Sequence, residues 1–129
     1  MEVITPQGSV CHEMVNFLTA PASLGSMGVL HNHAPLLTTL ETGLLSYKKA
    51  GLEQKPQCIA IDNGLMEVND NHVLILVQAA EKAQEIDLSR AEAARTRAKG
   101  RLAAHSKDVD VPRAEASLKR ALNRIKACQ

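Results

Sequence analysis

The chain has 129 residues, of which 45% are hydrophobic, and this length can build a real core in one large or two small domains. Phe17 and Tyr47 are the whole aromatic inventory, so the stacking platforms of a single-strand nucleic-acid binder are missing. The formal net charge of +1 conceals a division near residue 80, because the first 80 residues sum to −4 and the remainder to +5. This asymmetry predicts two modules with different partners.

The cysteines indicate a reducing compartment, and the apolar runs are too short for a membrane span. Cys11, Cys58 and Cys128 are far apart, odd in number and outside any CxxC pair, so neither a disulfide framework nor a zinc finger is expected. The longest strongly apolar run, 73–77, is far shorter than a membrane span, and no signal peptide is recognisable at the start of the chain. We therefore expect a soluble intracellular protein that can still dock on a membrane complex.

The first 80 residues predict an antiparallel sandwich or barrel, because short apolar stretches are separated by turn residues at regular intervals. The predicted strands are 10–18, 36–40, 43–47, 58–61, 65–68 and 72–77. In the first of them Val10, His12, Met14, Asn16 and Leu18 would share one face. Asn63-Gly64 and residues 69–71 predict hairpin turns, and residues 25–28 a turn entering a strand at Val29.

From about residue 81 the pattern changes to helix. Residues 86–104 are rich in alanine and leucine, with Asp87 placed to cap the first turn. A second helix is predicted from Pro112 to about Ala127, after an interruption at 106–110. The short connection predicts an antiparallel hairpin.

Alanine dominates the expected contact between these helices. The contact residues would be Ala91, Ala94, Ala98 and Leu102 on the first helix, and Val111, Ala114, Leu118, Ala121, Leu122 and Ile125 on the second. Because alanine buries little area, we expect the hairpin to be the less stable and more mobile part, able to detach or open.

Motifs for common catalytic chemistry are missing. No P-loop and no dinucleotide-binding glycine motif occurs, and the serines and cysteines lack an identifiable base partner. His31 and His33, with Glu41 ten residues beyond His31, offer too few supported ligands for zinc, so no metal is predicted. A P-loop motor, a dinucleotide-dependent oxidoreductase and covalent catalysis are therefore not expected.

Four arginines on the two helices form the most informative cluster. Arg90 and Arg97 share a broad face of the first helix with Asp87, and Arg120 and Arg124 lie one turn apart on the second. If the hairpin closes, these guanidiniums can converge on a polyphosphate or a carboxylate cluster. The alternative is that Asp87 only caps its helix and the arginines face solvent.

The second helix is also strongly basic. Its positive side chains are Arg113, Lys119, Arg120, Arg124 and Lys126, opposed by one acidic residue, Glu115. An amphipathic helix of this kind is a candidate for docking on an acidic protein surface. Nucleic acid or an anionic membrane is the rival partner, although the helix lacks aromatic membrane anchors.

Several motifs, in order, resemble the epsilon subunits of bacterial F-type ATP synthases over essentially the full length. They are the opening strand 3–8, the stretch 28–38 around His33-Ala34-Pro35, the strand 63–68, the Ile-Asp-x-x-Arg-Ala motif at 86–91, and Asp108-Val109-Asp110 before the basic helix. The resemblance implies an α+β fold: a flattened antiparallel β-sandwich of about ten strands over residues 1–84, then a two-helix hairpin over 85–129. Two departures are His31-Asn32, where the family usually has Pro-Gly, and Ser26, where it often has a carboxylate.

The resemblance also implies a role. Family members are non-catalytic central-stalk rotor subunits that couple rotation to proton or sodium transport. They bind the gamma subunit, the c-subunit ring and the alpha/beta catalytic hexamer, but no nucleic acid, and reach the membrane only through the complex. The expected location is therefore peripheral, on the cytoplasmic face of the bacterial inner membrane.

Site residues follow from the same resemblance. The hairpin would inhibit ATP hydrolysis by extending its basic face (Arg113, Lys119, Arg120, Arg124 and Lys126) toward an acidic segment of a beta subunit. A loop carrying Ser26, His31 and His33 would contact the c ring. No cofactor is required, but ATP is a regulatory ligand in some members, and its site here would comprise Glu81, Ile86, Asp87, Arg90, Ala91, Arg97, Arg120 and Arg124.

Two other functions remain open from the sequence. One is a free-standing nucleotide-binding regulatory module that works without a synthase. The other is an adaptor that uses its basic helix on nucleic acid, which predicts steep salt dependence.

Overall fold

The computed structural model describes residues 1–51 and 55–129. The strands are β1 (Glu2–Thr5), β2 (Gly8–His12), β3 (Val15–Ala22), β4 (Gly25–Leu30), β5 (Leu36–Leu40), β6 (Gly43–Lys49), β7 (Gln57–Ile61), β8 (Gly64–Asn69), β9 (His72–Val77) and β10 (Ala80–Lys82). A 3₁₀ turn (Ala83–Glu85) leads into the helices α1 (Leu88–Ala103) and α2 (Val111–Ala127). The predicted α+β class, with a sandwich followed by two helices, is confirmed.

The strands form two halves of one folded sheet. One half runs β10-β7-β6-β3-β4 and the other β5-β8-β9-β1-β2, and the halves are connected where Ala22 of β3 pairs with Leu40 of β5. Neighbouring strands are antiparallel except β1 and β9, which are parallel. The sheet folds over at this narrow connection, so both halves contribute side chains to a shared interior.

The hydrophobic core belongs to the sandwich. Its largest fully buried side chains are Tyr47, Leu18, Leu45, Ile59, Ile61, Met66, Ile75, Val3 and Val68. The buried residues of the helices are all alanines, namely Ala91, Ala98, Ala114, Ala121 and Ala127. The core is therefore complete without a large side chain from the hairpin.

The predicted single strand over 10–18 is wrong. β2 ends at His12 and β3 begins at Val15, and Met14 between them is 80% exposed. This connection changes the phase of the alternation, so that Cys11 and Leu18 are the buried residues on its two sides. The five residues predicted to share one face therefore do not form one.

The stretch 25–28, predicted to be a turn, is also different in the structure. It forms the first part of β4, which pairs with β3 from Ala22↔Gly25 to Phe17↔Leu30. Gly25 adopts φ +122, which suits glycine alone, and the turn lies before it at Ser23 and Leu24. Glycine at this position therefore lets the chain enter β4 directly after a two-residue turn.

The two predicted hairpin turns have different outcomes. Asp70 and Asn71, with φ values of 47 and 59, form the two-residue turn between β8 and β9, as predicted. The prediction for Asn63-Gly64 is wrong, because β7 and β8 do not pair and the chain passes there from one half of the sheet to the other. A Cβ on Gly64 would lie 2.0 Å from the carbonyl oxygen of Leu76, so this glycine permits close approach of two strands.

The helices begin where the sequence predicts. Oδ1 of Asp87 accepts a hydrogen bond from the backbone N–H of Arg90, and Oδ1 of Asp110 accepts one from that of Arg113, each at 3.1 Å. Both aspartates are N-caps, and Pro112 lies in the first turn of α2.

The predicted contact stripe is correct for α1 and partly wrong for α2. Ala91 and Ala98 are buried, and Ala94 and Leu102 half-buried. On α2 the stripe residues Ala114, Ala121, Leu118 and Ile125 are buried or half-buried, but Val111 and Leu122 are 48% and 44% exposed. Leu122 follows Ala121 by one residue, about 100° around the helix, so both cannot point into one narrow contact.

Candidate functional site

Helix α2 docks on the sandwich along β6 and β7 through a side-chain amide. Nδ2 of Asn123 donates hydrogen bonds to the carbonyl oxygens of Gly43, at 2.8 Å, and Ile61, at 3.2 Å. Gly43 begins β6 and Ile61 ends β7, and the two residues are paired across the sheet. One amide therefore fixes α2 at the ends of two neighbouring strands.

Three ion pairs surround this amide. The Lys119 Nζ lies 3.4 Å from Oε2 of Glu41, the Arg120 Nη1 3.5 Å from Oδ2 of Asp62, and the Arg124 Nε 2.6 Å from Oε2 of Glu81. Each cation comes from α2 and each anion from the sandwich, since Glu41 follows β5, Asp62 follows β7 and Glu81 lies in β10.

Asp62 is the most buried of these acids. Burial opposes its ionisation, but Thr42 Oγ1 donates to its Oδ1 at 2.5 Å, its neighbour Asn63 donates a backbone N–H at 3.0 Å, and Arg120 supplies positive charge. Together these contacts hold the pKa of Asp62 below its usual value. The carboxylate is therefore ionised at neutral pH and ready to pair with Arg120.

The opposite net charges of the two chain segments meet at this interface. Three of the five basic residues predicted to form one face of α2 are paired with the sandwich, and Arg113 and Lys126 are exposed. In residues 1–51 and 55–129 no ion pair involves either of those two side chains. Exposed pairs of this type contribute about 0.2–1 kcal/mol each, so the interface is specific but weak.

A small cleft lies among these pairs, with a volume of about 60 Å³. Its lining comprises Thr42, Ala60, Ile61, Asp62, Ala79, Ala80, Glu81, Arg120, Asn123 and Arg124. Pockets for drug-sized ligands are typically about 300–1,000 Å³, so the docked interface has no room for a whole nucleotide. At this cleft the guanidiniums of Arg120 and Arg124 pair with the carboxylates of Asp62 and Glu81.

Of the eight residues predicted for ATP, the structure gathers Glu81, Arg120 and Arg124 at this cleft, and the other five lie outside it. Asp87 caps α1, Ala91 is buried between the helices, and Ile86 is half-buried. Arg90 and Arg97 are exposed on α1, and within the described part of the chain their guanidiniums make no hydrogen bond or ion pair. The four guanidiniums therefore do not converge in this structure. Two lie at the cleft and two are exposed on α1.

The three residues predicted to contact a c ring are likewise not in one place. His31 and His33 line a cleft of about 160 Å³ at one end of the sandwich, beside the exposed side chains of Met14 and Leu30. Ser26 lies five residues before His31 along β4, which corresponds to about 16 Å in an extended strand. The structure thus brings the two histidines together and places Ser26 near the other end of β4.

Sequence reasoning missed Asn123 and Asp62 and considered Glu41 only as a metal ligand. The signal that could have found the acids was the charge asymmetry itself, because a negative sandwich beside a positive helix can be its partner. Nothing in the sequence distinguishes Asn123 from other polar helix residues.

Across the described ranges, no three or more histidine, cysteine, aspartate or glutamate side chains come together as a metal site. Neither helix there has the length and apolar character needed to span a bilayer.

Comparison with known proteins identifies both parts of the chain. Residues 1–83 match the sequence model described as the beta-sandwich domain of the ATP synthase delta/epsilon chain. Residues 84–129 match the one described as the long alpha-helix domain of the same chain.

Individual relatives agree with these matches. The chain is 51% identical over 103 residues to the ATP synthase epsilon chain of Pelotomaculum thermopropionicum, covering 80% of this chain and 75% of that one. It is 46% identical, with the same coverage, to that of Carboxydothermus hydrogenoformans. In fold it resembles a chain in the cryo-EM structure of the Euglena gracilis mitochondrial ATP synthase, with a TM-score of 0.83, 24% identity, and coverage of 99% of this chain and 79% of that one.

Proposed function

The chain belongs to the ATP synthase delta/epsilon family, and on this premise we propose that it is a non-catalytic subunit of a rotary ATP synthase. It would work in the central stalk, bound to the gamma subunit and resting on the c ring, with His31 and His33 at the ring-facing end. Its place would be peripheral, on the cytoplasmic face of a bacterial inner membrane.

The observation that carries a regulatory role is the docking of α2. Lys119, Arg120 and Arg124 pair with Glu41, Asp62 and Glu81 of the same chain. An acidic segment of a beta subunit would have to use the same cations. The sandwich and the catalytic hexamer therefore compete for one basic helix, and inhibition of ATP hydrolysis begins when α2 leaves the sandwich.

Weak docking suits this competition. Each pair is at least partly exposed, with 44–55% of the basic side chain accessible. Losing one pair worth about 0.5 kcal/mol shifts the docked-to-free ratio about twofold. Rearrangement of the hairpin thus requires no disruption of the sandwich core, which lies wholly within the first 80 residues.

ATP is proposed as a regulatory ligand of the same helices. A triphosphate on Arg120 and Arg124 would replace the carboxylates of Asp62 and Glu81, with Arg90 and Arg97 as further donors. Isothermal calorimetry of the full chain with ATP tests this proposal: heat that disappears in an Arg120→Ala/Arg124→Ala variant supports it. Absence of heat would remove it together with the alternative of a free-standing nucleotide module.

The decisive experiment measures ATP hydrolysis by an F-type catalytic core lacking this subunit, with each full-length variant added. Arg120→Ala and Arg124→Ala should relieve inhibition, because the partner loses its cations. Asp62→Asn and Glu81→Gln should strengthen inhibition about twofold each, because they release α2 with its charge intact.

Two controls separate docking from general charge effects. Asn123→Ala changes no charge but removes both hydrogen bonds to Gly43 and Ile61, so it should also strengthen inhibition. Glu67→Gln changes an exposed acid of β8 that is distant in the strand order from β7 and β10, and should have no effect. Equal effects of Glu67→Gln and Glu81→Gln would contradict competition at the docking surface.

A further inference from the structure

A second cleft lies where α2 ends on the sandwich, and two cysteines line it. It is open, has a volume of about 430 Å³, and includes Cys58 of β7 and Cys128, the C-cap residue of α2. Cys58 is half-buried and Cys128 exposed, whereas Cys11 is buried in the sandwich, where its Sγ donates a hydrogen bond to the Tyr47 hydroxyl at 3.7 Å. Cys58 and Cys128 line this cleft, and Cys11 is not among its lining residues.

The docking of α2 explains why these two residues line the same cleft. Ile59 and Ile61 point into the core, so the alternation of β7 places Cys58 on the outer face, under the helix. α2 runs antiparallel to β7, with Arg120 beside Asp62 and Asn123 beside Ile61. Five residues beyond Asn123 the helix has advanced about 7.5 Å, toward the start of the strand.

We propose that Cys58 and Cys128 are a redox-responsive pair whose disulfide fixes α2 in its docked position. A disulfide requires Cα atoms about 4.4–6.8 Å apart, so the bond can form only while α2 lies on β7. It would connect the hairpin covalently to the sandwich at the end opposite to Lys119. Oxidation therefore selects the docked arrangement, and reduction restores reversible docking.

Glutathione disulfide is a suitable oxidant for this pair. Cys128, the exposed thiol, loses its proton and attacks one sulfur of the oxidant, forming a mixed disulfide and expelling one glutathione thiolate. Cys58 then loses its proton and attacks the Cys128 sulfur, forming the protein disulfide and expelling the second glutathione thiolate. Each expelled thiolate takes up one proton, and the two electrons lost by the protein reduce one glutathione disulfide to two thiols. Lys55 and Lys82 line the same cleft and attract this anionic oxidant.

The chemical test uses the full chain treated with glutathione disulfide, followed by thiol counting and peptide mapping under non-reducing conditions. The expected product is a monomer with one free thiol, at Cys11, and a peptide joining Cys58 to Cys128. Cys58→Ser and Cys128→Ser should each prevent that crosslink while retaining the buried Cys11. A dominant dimer through Cys128, or a stable glutathione adduct at Cys128 without the crosslink, would overturn the proposal.

Hydrogen exchange supplies a readout that does not depend on ATP synthase. The α2 amides of the oxidised chain should exchange about tenfold more slowly than those of the reduced chain, and dithiothreitol should reverse the difference. Unchanged exchange in a chain that carries the crosslink would overturn the locking role. The expected loss of inhibition on oxidation rests on the proposed function, so a locked helix with undiminished inhibition would contradict that function and leave the dithiol pair supported.

Discussion

The sandwich and the helical hairpin are stabilised by different means. The sandwich buries tyrosine, leucine, isoleucine and methionine completely, whereas every buried side chain of the helices is alanine. A fully buried large aliphatic side chain contributes about 1.5–3 kcal/mol, and one methyl group far less. We therefore expect the two parts of one chain to differ in stability, with the hairpin as the part that can rearrange while the sandwich stays folded.

This difference also separates two properties that are often treated together. Apolar area determines how strongly the sandwich holds, while a few polar contacts determine where α2 lies on it. The hairpin can thus have a defined position without a large stability.

Gly64→Ala should destabilise the sandwich by about 3 kcal/mol, because the new Cβ would overlap the backbone of β9 at Leu76 and Val77. Gly100→Ala is the matched control in α1, where a Cβ meets no heavy atom within 4 Å. It should stabilise the helix by about 0.5–1 kcal/mol. Urea unfolding measures both, and a small cost for Gly64→Ala would contradict the close approach of the strands.

Backbone amides of α1 and α2 should exchange with deuterium about a hundredfold faster than those of β8 and β9, since opening the hairpin exposes no fully buried side chain larger than alanine. Native-state exchange resolved by residue measures the ratio. Equal protection in the two regions would show that the hairpin opens only with global unfolding, and would remove the basis for the comparison above.

Tyr47→Phe should cost about 1 kcal/mol of sandwich stability. The hydroxyl donates to Oε1 of Gln57 at 3.0 Å and accepts from Cys11, and burial raises the pKa of the phenol. Phenylalanine keeps the ring and loses the hydrogen bonds. Chemical denaturation should show the loss without a change in hairpin exchange rates, and a faster-exchanging α2 would mean that the core and the docking surface are coupled.

Acid should weaken docking by less than about 1 kcal/mol through Asp62. Its pKa is lower in the folded chain than its ordinary value near 3.8. The ion pair therefore contributes fully above about pH 4, and the contribution is lost as pH falls through the lower folded value. Exchange of α2 amides from pH 6 to pH 3, corrected for intrinsic rates, should show a larger loss of docking in the native chain than in Asp62→Asn.

Local patterns predicted much of the fold. The strand at 72–77, the turn at Asp70-Asn71 and the Asp87 cap follow from residues close in sequence, and all three are confirmed. The failures have a common cause. Gly64 looks like part of a hairpin turn, but the partner of β8 is chosen by packing between distant strands, which no dipeptide encodes.

The candidate site was harder to predict for the same reason. The basic residues of α2 are visible in the sequence, but their partners Glu41, Asp62 and Glu81 are about 40 to 80 positions away. The charge pattern indicated two modules of opposite net charge. It did not show that these modules face each other. Interpreting the asymmetry as evidence for two external partners overlooked the intramolecular one.

Asn123 gives the docked hairpin a single register. Sliding α2 by one turn would replace the amide with Lys119 or Ala127. Lys119 would then lose its pair with Glu41, and Ala127 cannot donate a hydrogen bond to Gly43 or Ile61. Shifted positions of the helix therefore form few of these polar contacts, and α2 is either docked in one register or undocked. A helix held in this way changes position abruptly, and it returns to the same docked position after each release.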